Sequence, residues 1–494
     1  MEIGFDNGLY IQKQTERILE RIDKFKGKLY LEFGGKLFDD YHAARVLPGF
    51  HADGKIRLLH QLRDKTEIIF AINAGDIEKT KVRADLGIGY DMEVLRLIDD
   101  ISAMGISINS VVITQYTGQA AADAFAAKLT MRGVKNYIHR PIPGYPMATD
   151  FICSDQGYGS NPYIETTKPL VVVTAPGPAS GKLATCLSQV YHEYKRGVRA
   201  GYAKFETFPI WNLSLKHPVN LAYEAATADL ADVNMIDPFH LEAYGETTVN
   251  YNRDVEAFPI VQTILERITG DREFYRSPTD MGVNMAGYAI FDDKIVREAA
   301  CQEIIRRYYK TACDVKQGKG SEAALHKIES IMQQLNLVPD DRAVVIPALS
   351  CNKETGRPAA AIQLPDGRII TGKASDLMSA SSATVLNSIK ALAGIQDITL
   401  IRPEVLQPIL RLKIDMLGSR SSVLKVDDVL AGLAVSAAND PSAAQAMNAL
   451  PLLRDCEMHS TQMLHSGDEG TLRKLGLRLT MEPVYPGKDL FFCV

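Results

Sequence analysis

The chain contains 494 residues, too many for a single hydrophobic core, and its 46% hydrophobic and 23% charged residues are typical of a globular protein. The net charge of -5 excludes a general nucleic-acid-binding protein, which would carry a basic surface, but it allows a local basic site for an anionic small molecule. No apolar run approaches the roughly 20 residues that cross a bilayer, and the N-terminus has no apolar signal segment, so we expect a cytoplasmic protein without membrane contact.

The seven cysteines are scattered along the chain and form no C-x-x-C pair. Their odd number and irregular spacing favour neither a disulfide framework nor a zinc site. We therefore predict free thiols in a reducing compartment.

Residues 1–165 alternate short β-branched segments with amphipathic helical segments. The predicted strands are 28–33, 67–73, 110–116 and 136–142, and helices are predicted over 91–105 and 119–132. This alternation predicts an α/β fold in which a mostly parallel sheet is covered by helices on both faces, here as a Rossmann-like lobe. The segment 140–163, with four prolines and three glycines, is predicted to be an ordered crossing between lobes.

Glycines follow the predicted strands of this lobe, and ligands of open α/β sheets bind at the carboxyl ends of strands. The glycines behind the first three strands, with one lysine, are therefore candidate contacts for a bound anion: Gly34, Gly35, Lys36, Gly75 and Gly118. Turn formation is the ordinary alternative reason for such a glycine. The cations at 79, 81 and 83 would form an electropositive site if they converged, and otherwise a solvated surface.

A second α/β lobe with a P-loop-like turn is predicted over residues 166–338. Its predicted elements are the strand 169–175, the helix 181–196, the strand 204–211, the helix 219–231 and the strand 232–237. A long helical section then runs from about 259 to 335 with a break around 275–288.

The stretch Val171–Leu183, "VVVTAPGPASGKL", resembles a strand that enters a phosphate-binding loop. The P-loop pattern is G-x-x-x-x-G-K-[ST], and here Pro176 occupies the position of its first glycine. Leu183 occupies the position of the Ser or Thr whose hydroxyl ligates Mg²⁺. Pro176 and Pro178 each lack an N–H donor. The amides of residues 179–183 can still hold an anion; the alternative is a rigid turn with a solvated lysine.

The residue types in and after this loop predict a nucleotide or phosphorylated ligand, with ATP and Mg²⁺ as candidate cofactors. The candidate phosphate-binding residues are Gly177, Ser180, Gly181, Lys182 and Thr185. Asp237 ends the strand "VNMID", where a Walker B aspartate would hold the metal or act as a base, and His240 is a candidate for proton transfer. Asp237 before a proline is also a common turn initiator.

A third α/β domain is predicted over residues 339–494, with a β-hairpin at 359–373 around Asp366-Gly367. The hairpin and the small-residue helix start that follows it resemble the opening of a cytidine-deaminase-like fold. The zinc ligands of that fold are absent from "SASSATVL". The Cys, His and carboxylate residues of 456–469 match no zinc spacing either, so satisfied structural groups are the preferred interpretation.

Several long blocks identify a family resemblance over the whole chain, among them "LEFGGKLFDDYHAARVLPGF", "TAPGPASGKLATCLSQVYHE" and "LPDGRIITGKASDLMSASSA". The chain resembles an uncharacterised bacterial family of about this length and of unknown function. Some members carry the label of ATP-dependent peptidase. No H-E-x-x-H or G-x-S-x-G motif supports that label here.

Three hypotheses for the function follow from the sequence. The first is an enzyme of phosphoryl transfer or ATP-dependent ligation at residues 177–185. The second is an ATP-independent enzyme that acts on a phosphorylated metabolite, and the third is a non-catalytic metabolite sensor or scaffold. A homo-oligomer, most simply a dimer, is expected in each case.

Overall fold

The structure is a computed structural model that describes residues 2–35, 37–38, 40–83, 87–419 and 421–487. The chain forms two compact units, one of residues 2–224 and 232–300 and the other of residues 225–231 and 301 onward. The three-domain division at 165/166 and 338/339 stays a prediction from the sequence. No helix within the described ranges has both the length and the apolar character that spanning a bilayer requires.

The N-terminal unit is an α/β structure. Its strands are β1 (Leu29–Phe33), β2 (Thr66–Asn73), β3 (Val82–Arg83), β4 (Ile88–Gly89), β5 (Ser107–Thr114), β6 (Asn136–Ile138), β7 (Leu170–Thr174), β8 (Gly201–Phe205), β9 (Asn234–Ile236), β10 (Val249–Tyr251) and β11 (Gly282–Val283). Its helices are α1 (Asn7–Lys24), α2 (Tyr41–Val46), α3 (Gly54–Gln61), α4 (Ala74–Glu78), α5 (Tyr90–Ala103), α6 (Ala120–Met131), α7 (Thr149–Ile152), α8 (Lys182–Lys195), α9 (Pro218–Ala226), α10 (Pro238–Tyr244), α11 (Asn252–Thr269) and α12 (Pro278–Met281), and α13 (Asp293–Lys316) starts within it.

Seven of these strands form one parallel sheet in the order β11-β8-β1-β7-β2-β5-β6. The central strands are buried throughout: every residue of β7 is inaccessible, as are the first seven of β2. Strands of this kind are apolar along their whole length because helices cover both faces of the sheet. The predicted α/β class with a mostly parallel sheet is confirmed.

The order of the sheet places β7 between β1 and β2, although 96 residues separate the end of β2 from the start of β7. Because all seven strands are parallel, their carboxyl ends lie along one edge. Ligands of open α/β sheets bind at that edge, where neighbouring strands are connected in opposite directions. The loops after β1, β2, β5 and β7 therefore face a common region.

Two predicted strands differ from the structure. The strand predicted for 204–211 is Gly201–Phe205, and a Cβ atom on its first residue would overlap the ring of Phe25. The strand predicted for 232–237 is β9, and it pairs with β10 in a separate antiparallel ribbon instead of joining the parallel sheet.

The C-terminal unit is built on a four-stranded mixed sheet. Its strands are β12 (Ala359–Gln363), β13 (Ile369–Lys373), β14 (Glu457–Ser460) and β15 (Arg478–Met481), in the order β13-β12-β14-β15. The hairpin of β12 and β13 confirms the hairpin predicted at 359–373, and β14 and β15 are parallel. The further helices are α14 (Glu322–Gln334), α15 (Val345–Thr355), α16 (Ala380–Leu392), α17 (Pro403–Arg411), α18 (Val426–Ala437), α19 (Pro441–Asn448) and α20 (Ser466–Lys474).

The polar residues near the end of the chain belong to a buried network of this unit. Glu457 forms ion pairs with Arg306 and with Arg342, which is fully buried. His459 bonds to the Thr480 hydroxyl at 2.9 Å and to the Glu482 carboxylate at 3.2 Å. These side chains satisfy one another, as the preferred interpretation of the sequence expected.

Candidate functional site

The P-loop-like loop after β7 is tied to the ends of two neighbouring strands. The hydroxyl of Thr114, the last residue of β5, donates to the carbonyl of Ser180 at 2.8 Å. The side-chain amide of Asn73, the last residue of β2, donates to the carbonyl of Ala179 at 3.4 Å. The loop is therefore held at the carboxyl edge of the sheet by strands distant from it in sequence.

Two glycines of the loop are required by its close packing. A Cβ atom on Gly177 would lie 2.3 Å from the phenol oxygen of Tyr90. Gly181 has a φ of +85°, and a Cβ there would lie 3.0 Å from the Thr114 side chain. The left-handed conformation favours glycine, and neither position has room for a side chain. The pattern G-x-x-x-G of this loop thus follows from packing.

The hydroxyls predicted to contact phosphate are engaged within the loop. Ser180 donates to the carbonyl of Gly177 at 2.8 Å, and Thr185 donates to the carbonyl of Gly181 at 2.9 Å. Both side chains are buried. Both hydroxyls therefore help to fix the shape of the loop.

Helix α8 starts directly after the loop without a side-chain cap, because its N-cap residue is Gly181. The first N–H groups of a helix have no acceptor within it, and they lie at the positive end of the helix dipole. In α8 these are the amides of residues 182–184. Lys182 is half-buried beside them, and its side chain has no hydrogen bond or ion pair within the described ranges. This helix end is therefore equipped to accept an anion.

A cleft of about 400 Å³, including space open to solvent, adjoins this helix end. One wall is the face of α8 that carries Gly181, Ala184, Thr185 and Ser188. The other walls are the ends of β5 and β6 and the segment 140–161. The remaining lining residues are Thr114, Gln115, His139, Arg140, Ile142, Tyr145, Tyr158 and Asn161. The lining contains no carboxylate, and its one permanent cation is Arg140.

The wall formed by residues 139–161 is fixed to the end of β6. Asn161 accepts from the backbone N–H of Arg140 at 2.7 Å and donates to its carbonyl at 3.1 Å. His139 is 5% exposed and contacts the Pro162 carbonyl at 3.1 Å, and burial lowers its pKa to about 4. His139 is therefore neutral at pH 7. The Arg140 guanidinium is exposed and stacks 5.5 Å from the ring centroid of Tyr116.

Two hydroxyls of the cleft are buried, and one of them lacks a hydrogen-bond partner among the described residues. They are the phenol of Tyr158 and the Oγ of Ser188, and both side chains are 1% exposed. Burial raises the pKa of Tyr158 well above its ordinary value, so the phenol keeps its proton. The phenol of Tyr158 donates to that of Tyr145, which leaves the Ser188 hydroxyl as the donor without an acceptor.

Asp237 and His240 lie elsewhere. Asp237 is fully buried and caps α10: its Oδ1 accepts from the N–H groups of Phe239 and His240, each at 3.0 Å, and its Oδ2 from the N–H and hydroxyl of Thr279, at 3.2 and 2.6 Å. His240 bonds to Ser277 at 2.9 Å.

Thr279 precedes β11, and β8 and β1 separate that edge strand from β7. Three strand spacings correspond to roughly 14 Å. The predicted Walker B pairing of Asp237 with Lys182 therefore has no counterpart in this geometry. The described residues also hold no group of three or more His, Cys, Asp or Glu arranged to bind a metal ion. Metal binding by Asp237 stays a prediction from the sequence.

The other predicted glycines do not line the cleft. Gly34 and Gly35 lie beside the ammonium of Lys55, which pairs with Asp40 at 2.8 Å. The Gly75 amide bonds to the side chain of Asn73 at 2.7 Å. Gly118 has a φ of +103° and serves a turn. Lys36 lies outside the described residues.

The predicted cationic cluster is largely neutralised by acidic neighbours. Lys81 pairs with Asp76 at 3.3 Å and lies over the ring of Tyr90, which packs against the loop. Arg83 pairs with the buried carboxylate of Glu93. Lys79 is exposed to solvent. Lys81 lies near the loop through Tyr90, but none of the three cations lines the cleft.

A second group of charged side chains stands at the end of β8. The Lys204 ammonium contacts the carboxylate of Glu206 at 2.7 Å and also pairs with Asp254. Burial raises the pKa of Glu206 to about 7, against the effect of the neighbouring ammonium. Glu32, opposite Lys204 on β1, accepts from the phenol of Tyr202 at 2.8 Å. This cluster lies on the same sheet edge, two strands from β7.

The sequence did not indicate the residues of the segment 139–161 as part of the site. The available signal was the density of aromatic and polar residues in the predicted crossing, combined with the helical spacing of 181, 184, 185 and 188. Neither signal shows that the crossing folds over α8, because that contact is long-range.

Comparison with known proteins shows the family to which the chain belongs. The model of an N-terminal "Domain of unknown function DUF1846" matches residues 3–336, and the corresponding C-terminal model matches residues 340–491.

The chain belongs to the DUF1846 family, whose relatives carry the name "UPF0371 protein". One such protein from Clostridium tetani (strain Massachusetts / E88) is 54% identical, and one from Clostridium botulinum (strain Alaska E43 / Type E3) is 53% identical, each over the full length of both chains. The family is of unknown function, and its names assign no activity.

Replacing Asp237 by Ala removes the cap of α10 and leaves the Thr279 donors without an acceptor. We expect a loss of about 3 kcal/mol in the free energy of unfolding, with phosphate binding unchanged. Urea unfolding with and without Mg²⁺ measures this, and the isosteric Asp237→Asn is the control. Stabilisation by Mg²⁺ in the wild type that disappears in both variants would establish a metal site instead.

The pKa of His139 falls from 6.5 in the unfolded chain to about 4 in the folded one, so the unfolded chain binds more protons between these values. Stability should therefore decrease as the pH drops through this window, by about 2 kcal/mol between pH 7 and pH 5 from this group. Urea unfolding at the two pH values should show that His139→Gln lacks this part of the loss. The exposed His60→Gln should behave as wild type; an equal loss in His139→Gln would contradict the assignment.

Proposed function

We propose that the N-terminal unit binds a phosphorylated small molecule in the cleft beside the N-terminus of α8. The observation that carries the proposal is the uncapped helix end, which opens on a cleft lined by an arginine and by no carboxylate. The first-turn amides of residues 182–184 would accept the phosphate oxygens, and Arg140 and Lys182 would supply positive charge.

The charge of the cleft supports an anionic ligand rather than a cation or a purely apolar molecule. Arg140 is not paired with a carboxylate in the described structure, and neutral donors form most of the remaining wall. A negative charge placed there meets favourable dipoles and no repulsion. The same fold supports many chemistries, so this site defines a ligand class and not yet a reaction.

Among the phosphorylated ligands that the sequence suggests, ATP with Mg²⁺ fits the residues of the loop least well. The first-turn amides suit a phosphate, but Leu183 offers no oxygen at the position where a Walker A loop ligates Mg²⁺. Phosphoryl transfer and ATP-dependent ligation stay predictions from the sequence. The residues present favour a phosphorylated metabolite bound without a nucleotide.

A second candidate function is an acid–base enzyme that acts on the bound metabolite. It is favoured by Glu206, whose raised pKa of about 7 and neighbouring Lys204 suit proton transfer near neutral pH. A substrate would have to extend from α8 toward the end of β8. Turnover that is lost in Glu206→Gln while binding is retained would distinguish this enzyme from a sensor or scaffold.

Binding of inorganic phosphate and of ATP, each with and without Mg²⁺, tests the proposal by isothermal titration calorimetry. We expect saturable phosphate binding that Arg140→Gln weakens by about tenfold, the effect of losing one charge-assisted hydrogen bond. Lys182→Ala should weaken binding in the same direction.

Lys79→Ala is the matched control, because this exposed cation belongs to the same unit but lies outside the cleft. It should bind phosphate as the wild type does. Equal, unsaturable heats in the wild type and in the Arg140 and Lys182 variants would show that the helix end is only a turn.

A further inference from the structure

A second cavity of the N-terminal unit lies at the other edge of the parallel sheet, where the strands begin. Its volume is about 860 Å³, including space open to solvent, and its walls are residues 26–28, 167–169 and 197–199. These segments precede β1, β7 and β8, which are neighbours in the sheet. Because the three strands are parallel, the segments before them meet at one edge. We call this space the amino-edge cavity.

Each of the three segments brings positive charge to the amino-edge cavity. The described lining contains no carboxylate and four cationic side chains: Lys26, Lys28, Lys168 and Arg199. Neighbouring strands are about 4.8 Å apart, so the backbone positions that carry these cations extend over roughly 10 Å. An anion with several charges along its length matches this spacing better than a single compact anion does.

Little of this charge is neutralised within the protein. Lys28 pairs with the buried carboxylate of Glu193 at 2.7 Å. The ammonium of Lys168 donates to a backbone carbonyl, at 2.8 Å, which carries no net charge. Lys26 and Arg199 form no ion pair within the described ranges. Three of the four positive charges are therefore left without a carboxylate partner in this part of the chain.

Helix dipoles explain only part of this arrangement. Helices α1 and α8 end shortly before residues 26–28 and 197–199, and cations stabilise the C-terminal end of a helix. Lys168 precedes a strand instead, and Arg199 lies four residues beyond the end of α8, outside the last turn where the dipole acts. Like charges that share one cavity repel each other, and a bound anion relieves that repulsion.

We propose that the amino-edge cavity binds a linear polyphosphate chain. Each phosphate of such a chain is charged, so successive anions meet the cations of successive strands. Arg199 can bind phosphate oxygens in a bidentate manner, and Lys26 and Lys168 supply further charge. The described lining contains no aromatic ring on which a nucleobase could stack. The phosphate chain is therefore the part of the ligand that the cavity recognises.

The amino-edge cavity is separate from the cleft of the proposed function. Gly181, at the start of α8, lines that cleft, whereas residues 197–199 follow the other end of the same helix. The 14 residues of α8 span roughly 21 Å at 1.5 Å per residue. A variant of one site should leave the other intact, so the two proposals can fail separately.

Isothermal titration calorimetry tests the proposal on the wild type and on the full chain with Arg140→Gln and Lys182→Ala, which removes the charges of the first site. The titrants are phosphate, tripolyphosphate, citrate and ATP, in EDTA without divalent cations. In both proteins tripolyphosphate should bind saturably and about tenfold more tightly than phosphate or citrate, the factor expected from one added charge-assisted contact. ATP should match tripolyphosphate, and added salt should weaken both.

The variants Lys26→Gln and Arg199→Gln remove the two cations that have no ion pair. Each should weaken the binding of tripolyphosphate about tenfold. At low salt neither should lower the free energy of unfolding in urea, because each change relieves repulsion. Lys79→Gln, an exposed cation that lines neither cavity, should match the wild type in both measurements.

The possible results separate the explanations. Tripolyphosphate binding that is unchanged in both Lys26→Gln and Arg199→Gln, or that citrate equals, would overturn the proposal. Destabilisation of both variants without any loss of binding would show that the cations serve the helix ends only. ATP bound tenfold more tightly than tripolyphosphate would contradict recognition through the phosphate chain. Absence of an anion from the start of α8 would overturn the proposed function and leave this inference standing.

Discussion

The hydrogen bond from the Thr114 hydroxyl to the Ser180 carbonyl is the contact on which the candidate site depends. It fixes the loop after β7 to the end of β5, and it places Gly181 against the same threonine, where only glycine fits. Because Gly181 is also the cap of α8, the contact sets where that helix begins and where its free amides point. The buried position of β7, between β1 and β2, makes this arrangement rigid.

The P-loop-like motif held in this way differs from a Walker A loop. In a Walker A loop the backbone wraps around the phosphates, and a hydroxyl after the lysine holds Mg²⁺. Here two prolines remove donors, the available hydroxyls close the loop on itself, and the aspartate predicted as metal ligand caps a distant helix. The N-terminus of α8, which lacks a side-chain cap, is the part of the motif that our proposal uses. The motif thus suits recognition of a phosphate group more than cleavage of one.

Much of the fold follows from local sequence, because buried parallel strands such as 170–174 are apolar throughout and helices repeat every 3.6 residues. Local sequence also predicted the hairpin around Asp366-Gly367 and the helix after Gly181. Membership of β9 in a separate ribbon could not be predicted, since a strand's partner is not encoded in its own residues. The position of Tyr158 and Ser188 in one cleft could not be predicted either, because that cleft depends on the 140–161 segment folding back over α8. Local patterns indicated the helix end that we propose as the anion site, whereas the cleft beside it depends on tertiary packing.

The most direct test of this account is an anomalous difference map from crystals soaked in tungstate, a heavy-atom mimic of phosphate. The account predicts a peak within hydrogen-bonding distance of the amides of residues 182–184, with the Arg140 side chain turned toward it, and no such peak in crystals of Arg140→Gln at the same soak concentration. Tungstate bound at other sites but absent from the end of α8 would contradict it.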